Sequence, residues 1–332
     1  MAVEALQAGA LIILPTETVY GVAAHAGVPG TEERIYEAKG RERGKPLPLM
    51  ASSLAAVEGA GAVLSPAARR LACRYWPGPL TLVVKCGSRT EGFRVPQHPV
   101  ALAVLNAAGG LLRVTSANKS GEPAALTADS ALKALGGHIT LVLDAGPSKL
   151  GLESTVVDAT GETLKIIRQG ALPATAVLSR PKVLFVCTGN TCRSPMAEYL
   201  LRKWLGPGTR WEVTSAGVAA LAGQQASDTA VQAMKEKKQD LTVHRSRKLT
   251  GDHIDDADLI VVMTEAHKRT VLHRFPMVAD RVVLLNMFSS VHPGEDVPDP
   301  FGMSLDVYRS IRDELDAAMP DLVLHLHKMY QK

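Results

Sequence analysis

The sequence predicts two domains of different class: an α+β domain on a twisted mixed sheet, then an α/β domain on a doubly wound, four-stranded parallel sheet. Three observations carry this. The chain has 332 residues, two domains' worth at roughly 100–200 residues each. The segment ALPATAVLSRP, Ala171 to Pro181, is small, apolar and punctuated by proline, and a clean buried strand, KVLFVC, follows at once. Strand and helix patterns alternate after that point and fail to alternate before it. The expected domains are therefore 1–175 and 182–332, with a linker over 176–181.

In the first domain the candidate strands are ALIILP (10–15), PLTLVVK (79–85), GFRVP (92–96), LLRVTSA (111–117), ITLVLD (139–144), STVVD (154–158) and TLKIIR (163–168). Helices fit near 31–39, 65–75, 98–107 and 127–135. Several of these strands lie too close in sequence for a helical crossover, so the sheet is expected to be mixed or largely antiparallel. In the second domain KVLFVC (182–187) leads to a helix from Pro195 to about Leu205. WEVTSAG (211–217) precedes a helix near 227–238, and DLIVVM (258–263) leads into one from Glu265. RVVLL (281–285) precedes a long helix from about Ser304, which Pro320 should break or kink.

Composition narrows the classes. An apolar content of 46% suits a sizeable core. No apolar run approaches the ~20 residues of a membrane span, and MAVEALQAG lacks the basic region and cleavage site of a signal peptide. The expectation is a cytoplasmic protein with no membrane association. Cys73, Cys86, Cys187 and Cys192 are too few and scattered for a disulfide framework, and no second pair at zinc-finger spacing accompanies Cys187 and Cys192. The net charge of +4 sits wholly in residues 1–180, with 18 Lys/Arg against 14 Asp/Glu, since residues 181–332 carry 19 of each. Such a surplus is small for nucleic acid and suits an anionic substrate such as ATP.

The stretch CTGNTCRSPMAE, Cys187 to Glu198, joins a strand to a helix. With Ser194 as N-cap and Pro195 as first helical residue, the loop Thr188 to Arg193 can aim its N–H groups into one concavity at a positive helix end. A cysteine at the mouth of that nest is expected to have a depressed pKa and to act as a nucleophile. Arg193 adds a planar fork for two phosphoryl oxygens, and Gly189 permits close backbone approach. In VPDPFG, Asp299 lies beyond the fourth strand, on the side where such sheets bind ligands, and can serve as an acid.

This half resembles the low-molecular-weight protein-tyrosine-phosphatase family over almost its full length, through CTGNTCRSPMAE, TSAG, HRSRKLT, ADLIVVMTEAHK and VPDPFG in the family's order. The resemblance implies Cys187 as nucleophile, Arg193 as transition-state clamp, and Asp299 as acid and later base. It implies Asn190 and Ser194 as the groups that shape the loop and hydrogen-bond the thiolate, with no metal required. Tyrosine-specific members usually carry a bulky aliphatic residue where Thr191 stands. Thr191-Cys192-Arg193-Ser194 looks like the protein-arginine-phosphatase branch, and Phe301 in place of a common tyrosine points the same way, toward phosphoarginine rather than phosphotyrosine in phosphoproteins. An arsenate-reducing branch uses a downstream cysteine pair, and no Cys follows Cys192. Cys192 could cap Cys187 as a reversible disulfide.

The first half carries hydroxyl-rich and basic segments. LPTETVYGV (14–22) runs from a strand into a glycine turn, and EAKGRERGKPLPL (37–49) sets Lys39 and Arg41 two apart, on one side if extended. TSANKSGEP (115–123), ESTVVD (153–158) and IIRQG (166–170) add Ser116, Asn118, Ser154 and Arg168. Together with PGPLTLV and RVPxHP these motifs resemble the YrdC-type family of threonylcarbamoyl-adenylate synthases over about 1–175, so a YrdC-like fold is expected. The resemblance implies a reaction of L-threonine, bicarbonate and ATP, with Mg²⁺ on the triphosphate. It also implies, as partners, tRNA and the proteins that transfer the threonylcarbamoyl group to it. By family position Thr18, Arg94, the Val114 backbone and Ser154 would hold threonine. Lys39, Arg41, Lys45, Thr90, Ser116, Asn118 and Arg168 would hold ATP. Lys45, Met50 and Ala124 depart from the family pattern. A rival reading makes this half a non-catalytic double-stranded-RNA-binding module beside a tyrosine phosphatase, although no strongly basic or aromatic stripe supports it. Carbamoyl transfer in hydrogenase maturation would bring Cys-rich zinc segments that the chain does not have.

Overall fold

In the computed structural model, which describes residues 1–161 and 163–329, the chain divides between Ser179 and Arg180 into two units. The first is built on one mixed sheet. Its strands are β1 (Ile12–Leu14), β2 (Gly21–His25), β3 (Leu49–Ala51), β4 (Ala62–Val63) and β5 (Leu80–Cys86), followed by β6 (Arg89–Arg94), β7 (Leu111–Ser116), β8 (Leu141–Val142), β9 (Thr155–Asp158) and β10 (Lys165–Arg168). Their order is β10-β9-β5-β6-β3-β7-β2-β1-β8, with β4 on β5. The pairs β1–β8, β3–β6 and β5–β9 are parallel, and the remaining pairs are antiparallel.

Side-chain alternation explains how this sheet is covered. Ile13 and Val22 pack with Ile35 and Ala131 of helices Thr31–Lys39 and Ala128–Leu135. Their sequence neighbours Ile12, Leu14 and Ala23 pack with Leu6 and Leu105 of helices Ala2–Gln7 and Pro99–Ala107. Adjacent residues on a strand point to opposite faces, so β1 and β2 are buried on both. A third cluster joins Leu80, Leu82, Phe93 and Val157 to Val57 and Leu71 of helices Leu54–Gly59 and Pro66–Tyr75. The four expected helices are present, two of them with good caps: Ser65 before Pro66, and a capping box from Thr127 and Ser130.

Three strands were not expected from sequence. β2, the sequence GVAAH, has one β-branched residue and too much glycine and alanine to signal a strand. Its glycine has a use: a Cβ on Gly21 would come within 2.6 Å of Val114 Cγ1 on β7. β3 and β4 are three and two residues long, below any useful periodicity. The residues expected as a linker begin inside a short helix, Ala174–Val177, whose Val177 is fully buried in the core of the first unit.

The second unit has β11 (Lys182–Cys187), β12 (Glu212–Gly217), β13 (Leu259–Val262) and β14 (Val282–Leu284), all parallel in the order β12-β11-β13-β14. Leu184 and Val186 pack with Ile254 and Val271 of helices Gly251–Asp256 and Glu265–Arg274. Val183 and Phe185, on the opposite face, are equally buried. Helix Arg193–Leu205 packs on β11 and β12 and against Leu305–Lys328.

Two expectations change here. The helix after β11 starts at Arg193 with Cys192 as its N-cap, so Ser194 is inside the first turn and does not cap. Its hydroxyl is committed elsewhere, to Cys187 and Asn190. Pro320 does not break the last helix, which runs unbroken from Leu305 to Lys328. Proline removes one donor from the ladder, but Met319 and Leu322 beside it are fully buried and hold the turn in place.

Candidate active sites

Cys187 ends the central strand β11, whose neighbours β12 and β13 lie on its two sides; the loop Thr188 to Arg193 follows at the carboxyl end of the sheet. This is the switch point at which open parallel sheets bind ligands. The loop is shaped from outside. The carbonyls of Cys187, Thr188 and Thr191 accept from the amides of Val218, Ala219 and Ser227 at 2.9, 3.0 and 3.0 Å. The Asn190 carbonyl accepts from His244 Nε2 at 2.8 Å. Because a peptide is planar and trans, carbonyls drawn outward leave the following N–H groups turned inward.

Asn190 is the keystone of this loop. It is fully buried with φ of 55°, a left-handed conformation that asparagine tolerates better than most residues. Its Nδ2 donates to Ser194 Oγ at 2.9 Å and to Ser215 Oγ at 2.8 Å, and its Oδ1 accepts from Arg247 N at 2.8 Å. Ser215 in turn donates to buried Glu198 at 2.5 Å. The close approach expected at Gly189 falls instead on Gly217. A Cβ on Gly189 would meet only Thr191 Oγ1 at 3.5 Å, whereas one on Gly217 would strike Thr188 O and lie 3.0 Å from Asn190 N.

Cys187 Sγ shares a hydrogen bond with Ser194 Oγ at 2.9 Å and accepts one from Asn190 N at 3.3 Å. The thiol differs from expectation in one respect: burial pushes its pKa up, while Ser194, the Arg193 charge and the Asn190 amide pull it back. The loop closes over sulfur and excludes the water that would solvate a thiolate. Arg193 is buried, with Nη1 on Val297 O at 3.0 Å and Nη2 on Asp299 Oδ2 at 2.6 Å. Asp299 is half exposed. Cys187, Arg193 and Asp299 are thus linked around one loop, with Thr191 at its partly exposed edge. Cys192 Sγ faces Tyr308 OH at 3.1 Å and Ser227 Oγ at 3.4 Å; both loop cysteines are free thiols.

Sequence reasoning missed the supports. His267 Nε2 meets Thr188 Oγ1 at 2.9 Å and its Nδ1 meets Thr264 Oγ1 at 2.8 Å. Burial, then the Arg193 charge, pulls its pKa down to about 4, so the ring is neutral at ordinary pH. Ser215, Gly217, His244 and Arg247 lie in TSAG and HRSRKLT; their spacing in the chain carries no sign of Asn190.

In the first unit a cavity of about 420 Å³ opens on the sheet. Seven of the expected ligand residues line it: Arg41, Thr90, Arg94, Val114, Ser116, Ser154 and Arg168. Arg94 is buried, with Nη2 on Glu17 Oε1 at 2.8 Å and Nε on Gly78 O at 3.2 Å. Arg168 reaches Ser154 O at 2.9 Å and Glu153 at 2.7 Å, while Ser154 Oγ meets Thr81 Oγ1 at 2.8 Å. The Val114 amide donates to Pro48 O at 3.2 Å.

Four expected residues, Thr18, Lys39, Lys45 and Asn118, lie off the lining. Thr18 is fully buried against Thr16 Oγ1 at 2.9 Å, and Thr16 takes the lining position. Lys45 is exposed and pairs with Glu42 at 3.3 Å. Lys39 is not in an extended segment: it is the last residue of Thr31–Lys39, capped by left-handed Gly40. It is buried, and its Nζ donates to Ser116 O, to Asn118 O at 2.7 Å and to Asn118 Oδ1 at 3.2 Å. Those contacts pin the loop of Ser116 and Asn118 and occupy all three ammonium protons. Burial, then Arg41, brings the Lys39 pKa down to about 8. Of the departures from the family pattern, Met50 lines the cavity and Ala124 does not. Glu17, Thr81 and Glu153 were not foreseen.

The two sites belong to two enzyme domains: one with a cavity lined by arginines and hydroxyls, and one with a buried thiol in a loop at the carboxyl end of a parallel sheet. The chain belongs over residues 4–170 to the Sua5–YciO–YrdC family, described as telomere recombination, and over residues 182–332 to the low molecular weight phosphotyrosine protein phosphatase family. It is 46% identical over 141 residues to a protein-arginine-phosphatase of Geobacillus stearothermophilus, an alignment covering 42% of this chain and 93% of that protein. It is 34% identical over 178 residues to the threonylcarbamoyl-AMP synthase of Bacillus subtilis, covering 50% of this chain and 51% of that one. The chain thus spans about half the length of that synthase. The solved YwlE arginine phosphatase of Geobacillus stearothermophilus aligns at 44% identity and a TM-score of 0.41, covering 45% of this chain and 94% of that structure. Among the described residues no helix is long and apolar enough to cross a membrane.

Proposed function

We propose that the chain is a bifunctional enzyme. Residues 1–175 make L-threonylcarbamoyl-AMP for tRNA threonylcarbamoyladenosine formation, and residues 182–332 act as a protein phosphatase that prefers phosphoarginine to phosphotyrosine. The observation that supports the synthase best is the cavity lined by Arg41, Arg94 and Arg168 with Thr90, Ser116 and Ser154. Threonine's ammonium and bicarbonate give a carbamate, water and a proton. A carbamate oxygen then attacks the α-phosphorus and pyrophosphate leaves. No protein nucleophile is required; orientation and neutralisation of developing charge carry the step. Arg94, held by Glu17, is suited to the threonine carboxylate, and Arg41 and Arg168 to phosphate oxygens. Magnesium belongs to the substrate as its ATP complex: among the described residues Glu153 is the one carboxylate on the lining, and it is already paired with Arg168.

The phosphatase reading rests on Cys187 Sγ held at 2.9 Å from Ser194 Oγ in the loop that ends at Arg193, whose Nη2 in turn holds Asp299 Oδ2 at 2.6 Å. Cys187 first loses its thiol proton to solvent; the thiolate then attacks phosphorus as the bond from phosphorus to the leaving nitrogen or oxygen breaks, and Asp299 gives that atom its proton. Water then attacks the thiophosphate while Asp299 takes the proton back. Arg193 exchanges its Asp299 contact for phosphoryl oxygens in the bound complex. Thr191, Phe301 and the 46% identity to a protein-arginine-phosphatase support phosphoarginine as the preferred substrate. The deciding experiment compares hydrolysis of a phosphoarginine protein with a phosphotyrosine peptide, and assays pyrophosphate release from ATP with and without threonine and bicarbonate. A greater kcat/KM for phosphotyrosine overturns the preference. Pyrophosphate release independent of threonine overturns the synthase.

A further inference from the structure

We infer that Asp296 is a positioning residue for the acid Asp299, fastening the acid's loop to the same helical turn that holds the nucleophile's loop; this rests on the phosphatase reading above. The anchoring turn is the start of Glu265–Arg274, capped by Thr264 Oγ1 on His267 N at 3.2 Å. Two links leave it toward the site. One is His267, whose Nε2 meets Thr188 Oγ1 next to the nucleophile at 2.9 Å. The other is Asp296 Oδ1, which accepts from Glu265 N at 2.7 Å. That amide is in the first turn, where no intrahelical carbonyl is available and a carboxylate is favoured by the helix dipole.

Between Asp296 and Asp299 the loop has one further fastening. Val297 donates its N–H to Met263 O at 2.8 Å, and its carbonyl receives Arg193 Nη1 at 3.0 Å. Met263 is the residue before Thr264, so both fastenings meet the chain within three residues, at the exit of β13. Asp299 itself, half exposed, is held on Oδ2 by Arg193, a contact that substrate binding must release. Among the described residues its Oδ1 meets only the exposed Phe301 amide, at 3.3 Å. During turnover the acid's place therefore depends on the loop, which Asp296 fastens through its side chain and Val297 through its backbone. Asp296 is exposed and remote from the core, so its removal leaves folding intact while loosening the acid.

A loosened acid harms only leaving groups that need a proton. The test measures phosphoenzyme formation at Cys187 in the full chain, by single turnover with aryl phosphates of graded leaving-group pKa. Wild type, Asp296→Ala, Asp296→Asn and Asp299→Ala are compared. Asp296→Ala is expected to slow the poorest leaving groups about tenfold and the best less than about twofold, short of the roughly 10²–10⁴-fold effect of removing a general acid outright. Asp296→Asn retains an oxygen acceptor for Glu265 N and is expected to restore most of the rate. A loss that is uniform across leaving groups, or none, or an asparagine variant as slow as alanine, overturns the inference alone. An Asp299→Ala enzyme with wild-type rates on poor leaving groups overturns the acid assignment and the inference with it.

Discussion

In the second unit the eight residues from Cys187 to Ser194 carry the proposed nucleophile, the arginine and the hydroxyl that meets sulfur. In the first unit the comparable groups come from across the sheet: Thr90 and Arg94 from β6, Ser116 from β7, Arg168 from β10, and Arg41 and Ser154 from connections. The contrast fits the two proposed chemistries. Covalent catalysis needs one activated atom and a rigid cradle around it, which a strand–loop–helix turn supplies locally. Joining three substrates without a protein nucleophile needs several surfaces facing one volume, which a broad sheet supplies. The first arrangement should fail at one residue, the second by degrees.

The sharpest way to break that comparison is Cys187→Ser. It is expected to lower phosphatase kcat/KM at least about 10⁴-fold, as loss of a nucleophile does elsewhere, with threonine-dependent pyrophosphate release unchanged. Arg168→Ala is expected to raise the KM for ATP about tenfold and leave measurable turnover, because Arg41 and Arg94 remain on the lining. Complete loss in steady-state pyrophosphate assays would mean that the first site is as concentrated as the second. Thr191→Ile replaces a hydroxyl at the loop edge with aliphatic bulk. The ratio of phosphotyrosine to phosphoarginine hydrolysis is expected to rise about tenfold, within the range of one side-chain contact.

The smallest expected effect is one of pH. Lys39 is a base whose folded pKa, about 8, lies below its ordinary 10.5, so it sheds its proton as pH rises through 8. Above that point one of its three donors to Ser116 and Asn118 is gone, and so is its charge. The KM for ATP is expected to rise about threefold between pH 7 and pH 9, and Lys39→Arg should flatten the profile, since a guanidinium stays charged. A wild-type profile flat over that interval would show that the Ser116–Asn118 loop needs no ammonium.

Legibility in sequence followed the same division. The parallel sheet was readable because its strands are buried on both faces and written as unbroken apolar runs such as KVLFVC and DLIVVM. The mixed sheet was readable at β5 and β7 but not at β2, where GVAAH relies on neighbours rather than on its own propensity. At the sites, Cys187 and Arg193 announce themselves by residue type and spacing, and Asp299 by the family resemblance of VPDPFG. Gly217, Ser215 and Glu198 do not, because their importance is a distance to Asn190 or a hydrogen bond to its partner, and neither exists before the chain folds. Lys39 shows the converse: a residue visible as a charge, whose donors turn out to face the carbonyls of Ser116 and Asn118 and the Asn118 side chain.

The short helix Ala174–Val177 decides where the chain could be cut in two. Val177 is sealed in the first core while Leu178 is 57% exposed. A protease site inserted after Ser179, ahead of the strand that opens at Lys182, would yield two pieces each keeping its own hydrophobic centre. A cut at 175 would strip the first piece of a side chain it has already enclosed.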